Sequence, residues 1–545
     1  MHGLDVALHL LAAPRAHRGL PVPVDLQHQL LRLLLGVAEV GLEDVGDIGH
    51  QVDRVVPHDR HPRTGRRHQR IGDRALLLRR SDLGGAGSGH AAHGSTPLRA
   101  HLDAACHTVP VTVPPSGPAA DSTALLTDHY ELTMLQASLA AGTADRRAVF
   151  ELFPRRLPEG RRYGVVAGVG RALEALESFT FGDAELAVLA EVLDGPTLNR
   201  LAEYRFSGDI WGYPEGEMYF PHSPLLVVES TFAEAVLLET LLLSIYNHDS
   251  AIASAASRMT LAAGERPCIE MGSRRTHEQA AVAAARAAYI AGFVSTSNLA
   301  ARARYGVPTA GTSAHSFTLL HDTEEQAFRA QVDSLGRGTT LLVDTYDVAG
   351  AVRLAVQVAG PELGAVRIDS GDLAALAVQV RRQLDDLGNT DTRIIVTSDL
   401  DEYAIAALAA APVDGYGVGT QLVTGSGHPA AGFVYKLVAR EGASGELEPV
   451  AKKSKDKASV GGRKFALRRR SAAGVAEAEI IGVGTPPVGE EDDRPLLSPL
   501  VRSGEVVGRE PLDAARARHQ AARAELPLAI HAMSRGEPAI DTVFA

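Results

Sequence analysis

Residues 365–373 read Ala-Val-Arg-Ile-Asp-Ser-Gly-Asp-Leu. A short strand-forming segment, Ala365 to Ile368, runs into the polar turn Asp369-Ser370-Gly371-Asp372, and an Ala-rich stretch of helical periodicity follows. This is the strand-loop-helix half of a βαβ unit. The same grammar recurs on both sides. Upstream, Cys268 to Met271 leads into Gly272-Ser273-Arg274-Arg275, and Ala291 to Val294 into Ser295-Thr296-Ser297-Asn298. Thr309-Ala310 then leads into Gly311 to Ser316, and Thr340 to Val343 into Asp344-Thr345-Tyr346-Asp347. Downstream, Ile394 to Thr397 leads into Ser398-Asp399, and Gly415 to Val418 into Gly419-Thr420. Repetition at this spacing predicts an α/β fold with an incomplete or irregular parallel barrel. The glycine fingerprint of an open dinucleotide-binding sheet is missing.

In such a barrel every loop that follows a strand emerges at one face. Residues spread over the whole run would converge there. The set holds Arg274, Arg275, Thr296, Ser297, His315, Asp344, Asp369, Asp372, Ser398, Asp399 and Thr420 beside Gly419, with Arg367 just before one of the loops. Arginines suit phosphate, carboxylates suit ribose hydroxyls or Mg²⁺, and glycine-flanked amides suit a further phosphate. Together they fit a phosphorylated sugar. Taken singly, each is a common turn or a structural histidine, and the joint pattern carries the specificity.

The remaining chain reads differently. Residues 121–245 alternate strand-like and helical stretches, which predicts an α+β, sandwich-like domain. Strands are expected at Ala148 to Phe153, Val165 to Val169 and Leu225 to Glu229, and a long helix at Glu234 to Ser257. Arg155, Arg156, Arg161 and Arg162 form a basic loop, read as solvated with phosphate contact as the alternative. The barrel is assigned to 246–435 and a C-terminal segment packing back on the α+β domain to 436–545. There, Ala514 to Ala524 reads as a charged surface helix. Residues 1–120 hold more than half of the 21 histidines and no Phe, Tyr, Trp or Lys. They are expected to be an extension without ordered packing, or the product of a start codon placed too early.

The 545-residue chain has 45% apolar and 22% charged residues, the balance of a globular protein of more than one domain. Its net charge of −12 argues against nucleic acid or an anionic membrane as partner. Two cysteines give no disulfide framework, which fits the cytoplasm. No apolar run is long enough to span a bilayer.

Five motifs, LLTDHYELTM (125–134), EMGSRRT (270–276), STSNLAARARYGVPTAGTSAHSF (295–317), VRIDSGDL (366–373) and GVGTQLVT (417–424), together resemble the nicotinate phosphoribosyltransferase family. The resemblance covers roughly residues 120–545. It implies an enzyme that makes nicotinate mononucleotide and pyrophosphate from nicotinate and phosphoribosyl pyrophosphate. It further implies coupled ATP hydrolysis, Mg²⁺ and a homodimer that shares its active site between subunits. By the same resemblance His315 is the histidine transiently phosphorylated by ATP. Thr312 and Arg367 hold nicotinate, and Tyr130 contacts the pyridine ring from the neighbouring subunit. Thr420 binds the 5′-phosphate, while Asp369 and Asp372 hold the ribose and the metal-pyrophosphate. The basic run Lys452 to Lys464 also resembles a family segment, with Gly461-Gly462 departing from its usual Pro-Gly. The nicotinamide-using relatives carry an aspartate where this chain has Ser297, and an aspartate would repel a carboxylate substrate. The alternatives are a nicotinamide-using enzyme and a non-catalytic sensor of phosphoribosyl metabolites.

Overall fold

The computed structural model describes residues 122–452 and 459–545. The expectations for residues 1–120, and part of the basic run after Lys452, lie outside them. In chain order the strands are β1 (Arg147–Pro154), β2 (Gly164–Val165), β3 (Asp209–Gly212), β4 (Met218–Tyr219), β5 (Leu226–Thr231), β6 (Cys268–Glu270), β7 (Ser295–Thr296), β8 (Thr340–Leu342), β9 (Ala365–Ile368) and β10 (Arg393–Ser398). They continue as β11 (Gly415–Val418), β12 (Phe433–Glu441), β13 (Leu447–Pro449), β14 (Lys464–Arg470), β15 (Ala476–Val483), β16 (Arg494–Pro495), β17 (Ser498–Arg502), β18 (Glu505–Val506) and β19 (Asp541–Phe544).

One sheet is antiparallel, with order β13-β12-β1-β5-β3-β17-β18. Early and late parts of the chain therefore share it. The core strand β1 is buried on both faces from Ala148 onward. Phe150 stacks on Tyr435 of β12 on one face, with centroids 4.9 Å apart. Glu151 points to the other face, where the equally buried Lys464 reaches it. A smaller sheet, β16-β14-β15-β19, contains that lysine.

The barrel sheet has the order β7-β6-β11-β10-β9-β8, with every pairing parallel. Chain-first β6 pairs with chain-last β11. Thr309 adds one parallel bridge to Thr296 beyond β7. Followed cyclically from β6, the order is the order along the chain, as in a barrel, with a seam between the Thr309 segment and β8. Two expected strands thus change. Thr309-Ala310 makes a single bridge, and Ala291 to Val294 is a turn whose Ala291 and Phe293 are buried in the core. Only Ser295–Thr296 remains there as strand.

Helix Glu239–Ala263 joins the two sheets. Its first part packs in the core of the antiparallel sheet through Leu242 and Ile245, and its second in the barrel core through Ile252 and Met259. Each such side chain contributes about 1.5–3 kcal/mol relative to exposure. From Asp249 to Thr260 the helix is buried all round, which explains its run of Ala and Ser. The serines have buried work. Ser254 Oγ accepts from Val165 N at 2.9 Å and Ser250 Oγ from Ala167 N at 3.1 Å, so an irregular edge is satisfied inside the protein.

The late helix Leu512–Ala524 departs from the surface role expected of it. Ala515, His519 and Ala522 are buried. Arg516 donates to the carbonyls of Phe293 (2.6 Å) and Gly292 (3.0 Å), and Arg523 to Thr260 Oγ1 at 2.9 Å. Charge at these positions completes turns of the barrel. Among the described residues no helix is long and apolar enough to cross a membrane.

Candidate active site

Alternation along the barrel strands decides which side chains meet. In β9, Val366 and Ile368 enter the hydrophobic core, so Arg367 and then Asp369 face the opposite way. In β11, Tyr416 and Val418 are core and Gly417 faces the cleft. A Cβ on Gly417 would lie 2.5 Å from Thr397 Cγ2 and 2.8 Å from Met271 Sδ, so only glycine lets the ends of β6, β10 and β11 close together. The resulting cleft is lined by Met271, Arg274, Arg275, Ala314, His315, Arg367, Asp369, Thr397, Ser398, Asp399, Gly417, Gly419 and Thr420.

His315 opens helix His315–Leu320, directly at the barrel seam. Its Nδ1 lies 3.2 Å from Thr345 Oγ1 across the seam. Its Nε2 is 3.8 Å from Asp369 Oδ2 and 3.9 Å from Asp344 Oδ1. The imidazole is part-exposed, whereas the Asp344 side chain is only 2% exposed. Asp344 Oδ2 accepts from Asp369 N (2.9 Å) and Ser370 Oγ (2.7 Å), leaving Oδ1 without a hydrogen bond. Asp369 Oδ1 accepts from Thr397 Oγ1. The two carboxylates are thus oriented by their neighbours, each with one oxygen turned toward the histidine.

On the other side Arg367 donates to Thr312 Oγ1 and, at 2.9 Å, to Ser313 O. Burial pushes its guanidinium down from the ordinary arginine value, against the opposing pull of Asp369 and Asp344. Its Nε is buried with no partner. Arg274 and Arg275 face it from the loop after β6. Beneath that loop Glu270 is fully buried and accepts from Gly272 N and Thr296 Oγ1. Burial raises its carboxyl above the usual range.

Of the residues singled out in the sequence, Arg274, Arg275, His315, Arg367, Asp369, Ser398, Asp399, Gly419 and Thr420 line this cleft. Thr312 is exposed at its rim and reaches it through Arg367. Asp372 does not line it. Its carboxylate caps helix Leu373–Asp386, accepting from Ala375 N at 3.1 Å. Tyr130 is also elsewhere, 44% exposed near the start of helix His129–Ala140, its phenol pushed up to about 12 by burial and by Glu239 and Glu131. Asp344 was legible only as one more loop carboxylate, since its orientation toward His315 needed the structure. Asn298, by contrast, is a helix cap, and Ser297 is exposed beside it with no carboxylate at that position.

The comparisons with known proteins agree with one another. Residues 125–247 match the family described as nicotinate phosphoribosyltransferase (NAPRTase) N-terminal domain. The chain is 59% identical over 431 residues to a nicotinate phosphoribosyltransferase of Mycobacterium tuberculosis, covering 77% of this chain and 95% of that one. It is 39% identical over 333 residues to the nicotinate phosphoribosyltransferase of Bacillus subtilis, covering 59% and 68%. The crystal structure of human nicotinic acid phosphoribosyltransferase superposes with a TM-score of 0.67 at 27% identity, over 77% of this chain and 97% of that one.

Proposed function

This chain belongs to the nicotinate phosphoribosyltransferase family, and on that premise we propose that His315 couples ATP hydrolysis to the transfer through a transient phosphohistidine. The enzyme joins nicotinate to phosphoribosyl pyrophosphate, giving nicotinate mononucleotide and pyrophosphate in NAD biosynthesis. The bond formed joins the pyridine nitrogen to the anomeric carbon, and the bond broken joins that carbon to a pyrophosphate oxygen. The pyridine nitrogen brings its own lone pair, so no general base is required. The protein's task is to position both substrates and to stabilise charge.

The observation that carries the histidine's role is its setting. Were the proton on Nδ1, donated to Thr345 Oγ1 at 3.2 Å, Nε2 would keep its lone pair for attack. Attack of Nε2 on the γ-phosphorus of ATP forms the N–P bond and releases ADP. The phosphorylated ring carries positive charge, which Asp344 and Asp369 at 3.8–3.9 Å would stabilise. Water then takes the phosphoryl group as phosphate and restores the imidazole. Arg367, which lines the cleft and is tied to Thr312, suits the nicotinate carboxylate. Arg274, Ser398, Gly419 and Thr420 suit the phosphoribosyl pyrophosphate.

Among the described residues no set of three or more His, Cys, Asp or Glu side chains converges to hold a metal. Mg²⁺ commonly uses one or two carboxylates with substrate phosphates, and Asp369 in the cleft fits that role better than the capping Asp372. When bound it would neutralise charge on the departing pyrophosphate. Tyr130, away from the cleft of its own chain, would serve that of a second copy in a homodimer.

The test is product formation from phosphoribosyl pyrophosphate and Mg²⁺ with nicotinate or nicotinamide, with and without ATP. The expected outcome is mononucleotide from nicotinate, increased by ATP. Product from nicotinamide alone would overturn the substrate assignment, and no effect of ATP would overturn the coupling.

A further inference from the structure

Away from the cleft, the described residues include a buried group of three charges that the chemistry above does not use. Glu402, the first residue of helix Glu402–Ala407, is 2% exposed. Its Oε1 accepts from Arg161 (3.2 Å) and from Arg258 Nε (3.0 Å). Both arginines are buried. Its Oε2 accepts from Ser426 Oγ at 2.7 Å. Arg161 continues past the glutamate and donates to Gly425 O at 2.9 Å. Arg161 comes from the basic loop, which therefore sends one of its arginines inward.

A buried arginine-glutamate group is a poor device for stability alone. Desolvation offsets most of its Coulomb energy, and apolar residues often serve as well. What this one holds is a conformation that needs holding. Gly425, Ser426 and Gly427 have φ of 62°, 52° and 83°, three consecutive left-handed residues. For serine that region costs about 1–3 kcal/mol and persists only where the surroundings enforce it. Burial raises the Glu402 carboxyl, but Arg161, Ser426 and Arg258 outweigh it and keep the carboxyl below its usual range, ionised to receive all three donors.

The held loop closes the single helical turn Thr420–Val423. Gly425 N donates to Leu422 O at 3.0 Å and Ser426 N to Gln421 O at 2.6 Å. The other end of that turn, Gly419 and Thr420, lines the cleft. Moving the loop moves the turn as a unit, because its carbonyls are tied at the far end.

We propose that Arg161, Glu402 and Ser426 are positioning residues that set the Gly419–Thr420 turn against the phosphoribosyl substrate. This rests on the assignment of Thr420 to phosphate made above. The group touches no substrate and acts through the backbone of residues 419–425. It selects for phosphoribosyl pyrophosphate rather than for the pyridine.

Ser426→Gly is the mildest probe, since glycine accepts the left-handed φ and only the hydroxyl tie to Glu402 is lost. It is compared with Thr420→Ala and with the double variant in the full-length protein. Ser426→Gly is expected to raise KM for phosphoribosyl pyrophosphate about five- to tenfold, with kcat and KM for nicotinate within twofold. In the Thr420→Ala background it is expected to add little, because both changes act on one turn. Arg161→Lys, which keeps the charge but offers no planar fork, is expected to behave like Ser426→Gly. An unchanged KM in Ser426→Gly, or a loss that multiplies in full with that of Thr420→Ala, overturns the proposal. A raised KM in Ser426→Gly beside an unchanged one in Thr420→Ala keeps the brace and overturns instead the phosphate assignment of Thr420.

Discussion

Asp344 faces His315 across the barrel seam with one carboxylate oxygen, Oδ1, 3.9 Å from Nε2 and with no hydrogen bond of its own. Its other oxygen is fixed by Asp369 N and Ser370 Oγ. A buried acceptor left open beside an imidazole is costly unless a cation forms there. Phosphorylation at Nε2 with the proton kept on Nδ1 would make the ring itself an imidazolium, beside an anionic phosphoryl group.

Asp344→Asn should therefore weaken the ATP-coupled reaction while leaving nicotinate in place. The expected loss is roughly 10²-fold in the ATP-stimulated kcat, on the scale of a positioned catalytic group. KM for nicotinate should change little. Steady-state kinetics with and without ATP measure both, and an equal loss in the two conditions would count against a role specific to the phosphorylated histidine.

Arg367 should govern affinity for the pyridine carboxylate. Removing a charge-assisted partner costs about 1.5–3 kcal/mol, so Arg367→Ala should raise KM for nicotinate by roughly 10- to 100-fold. Arg367→Lys should rescue little, because a lysine cannot bridge Thr312 and a carboxylate with one planar fork. Isothermal titration with nicotinate checks the direction, and unchanged affinity in Arg367→Ala would place the carboxylate elsewhere.

His519 predicts how stability responds to acid. Burial, with the Arg523 and Arg516 charges, pushes its imidazole down to about 3. An unfolded histidine titrates near 6.5, so the stability this group contributes is fully present above that pH. It is lost as pH falls from about 6.5 toward 3, at up to about 1.4 kcal/mol per pH unit. His519→Asn should be less stable at pH 7, through loss of the 2.8 Å contact with Ser257, yet show a shallower decline between pH 6.5 and 5. Urea unfolding at several pH values tests it, and parallel declines in the two proteins would exclude His519 as the acid-sensitive group.

How much of this was readable in the residues depends on the range of the interaction. The barrel units were, because strand, loop and helix follow one another within some 30 residues and leave a local signature. The cleft arginines and the Gly419–Thr420 turn followed, since a parallel barrel gathers its loops at one face. Asp372 could be placed only by the structure, because a carboxylate at the start of a helix reads the same whether it caps or binds. Arg161 was read as part of a solvated loop and Ala514 to Ala524 as a surface helix, since charge normally marks surface. Their partners, Glu402 and the carbonyls near Phe293, lie more than 200 residues away in the chain. Asp344 lies within the local range of His315, and only its orientation toward the imidazole needed the structure.

The most direct test of the central claim is the ATP response of His315→Ala, measured as nicotinate mononucleotide formed from nicotinate, phosphoribosyl pyrophosphate and Mg²⁺. The account predicts that ATP accelerates the wild-type enzyme, while the variant keeps a slow basal transfer that ATP leaves unchanged. Equal stimulation of both proteins would contradict it, and the phosphoryl group would have to pass through another residue.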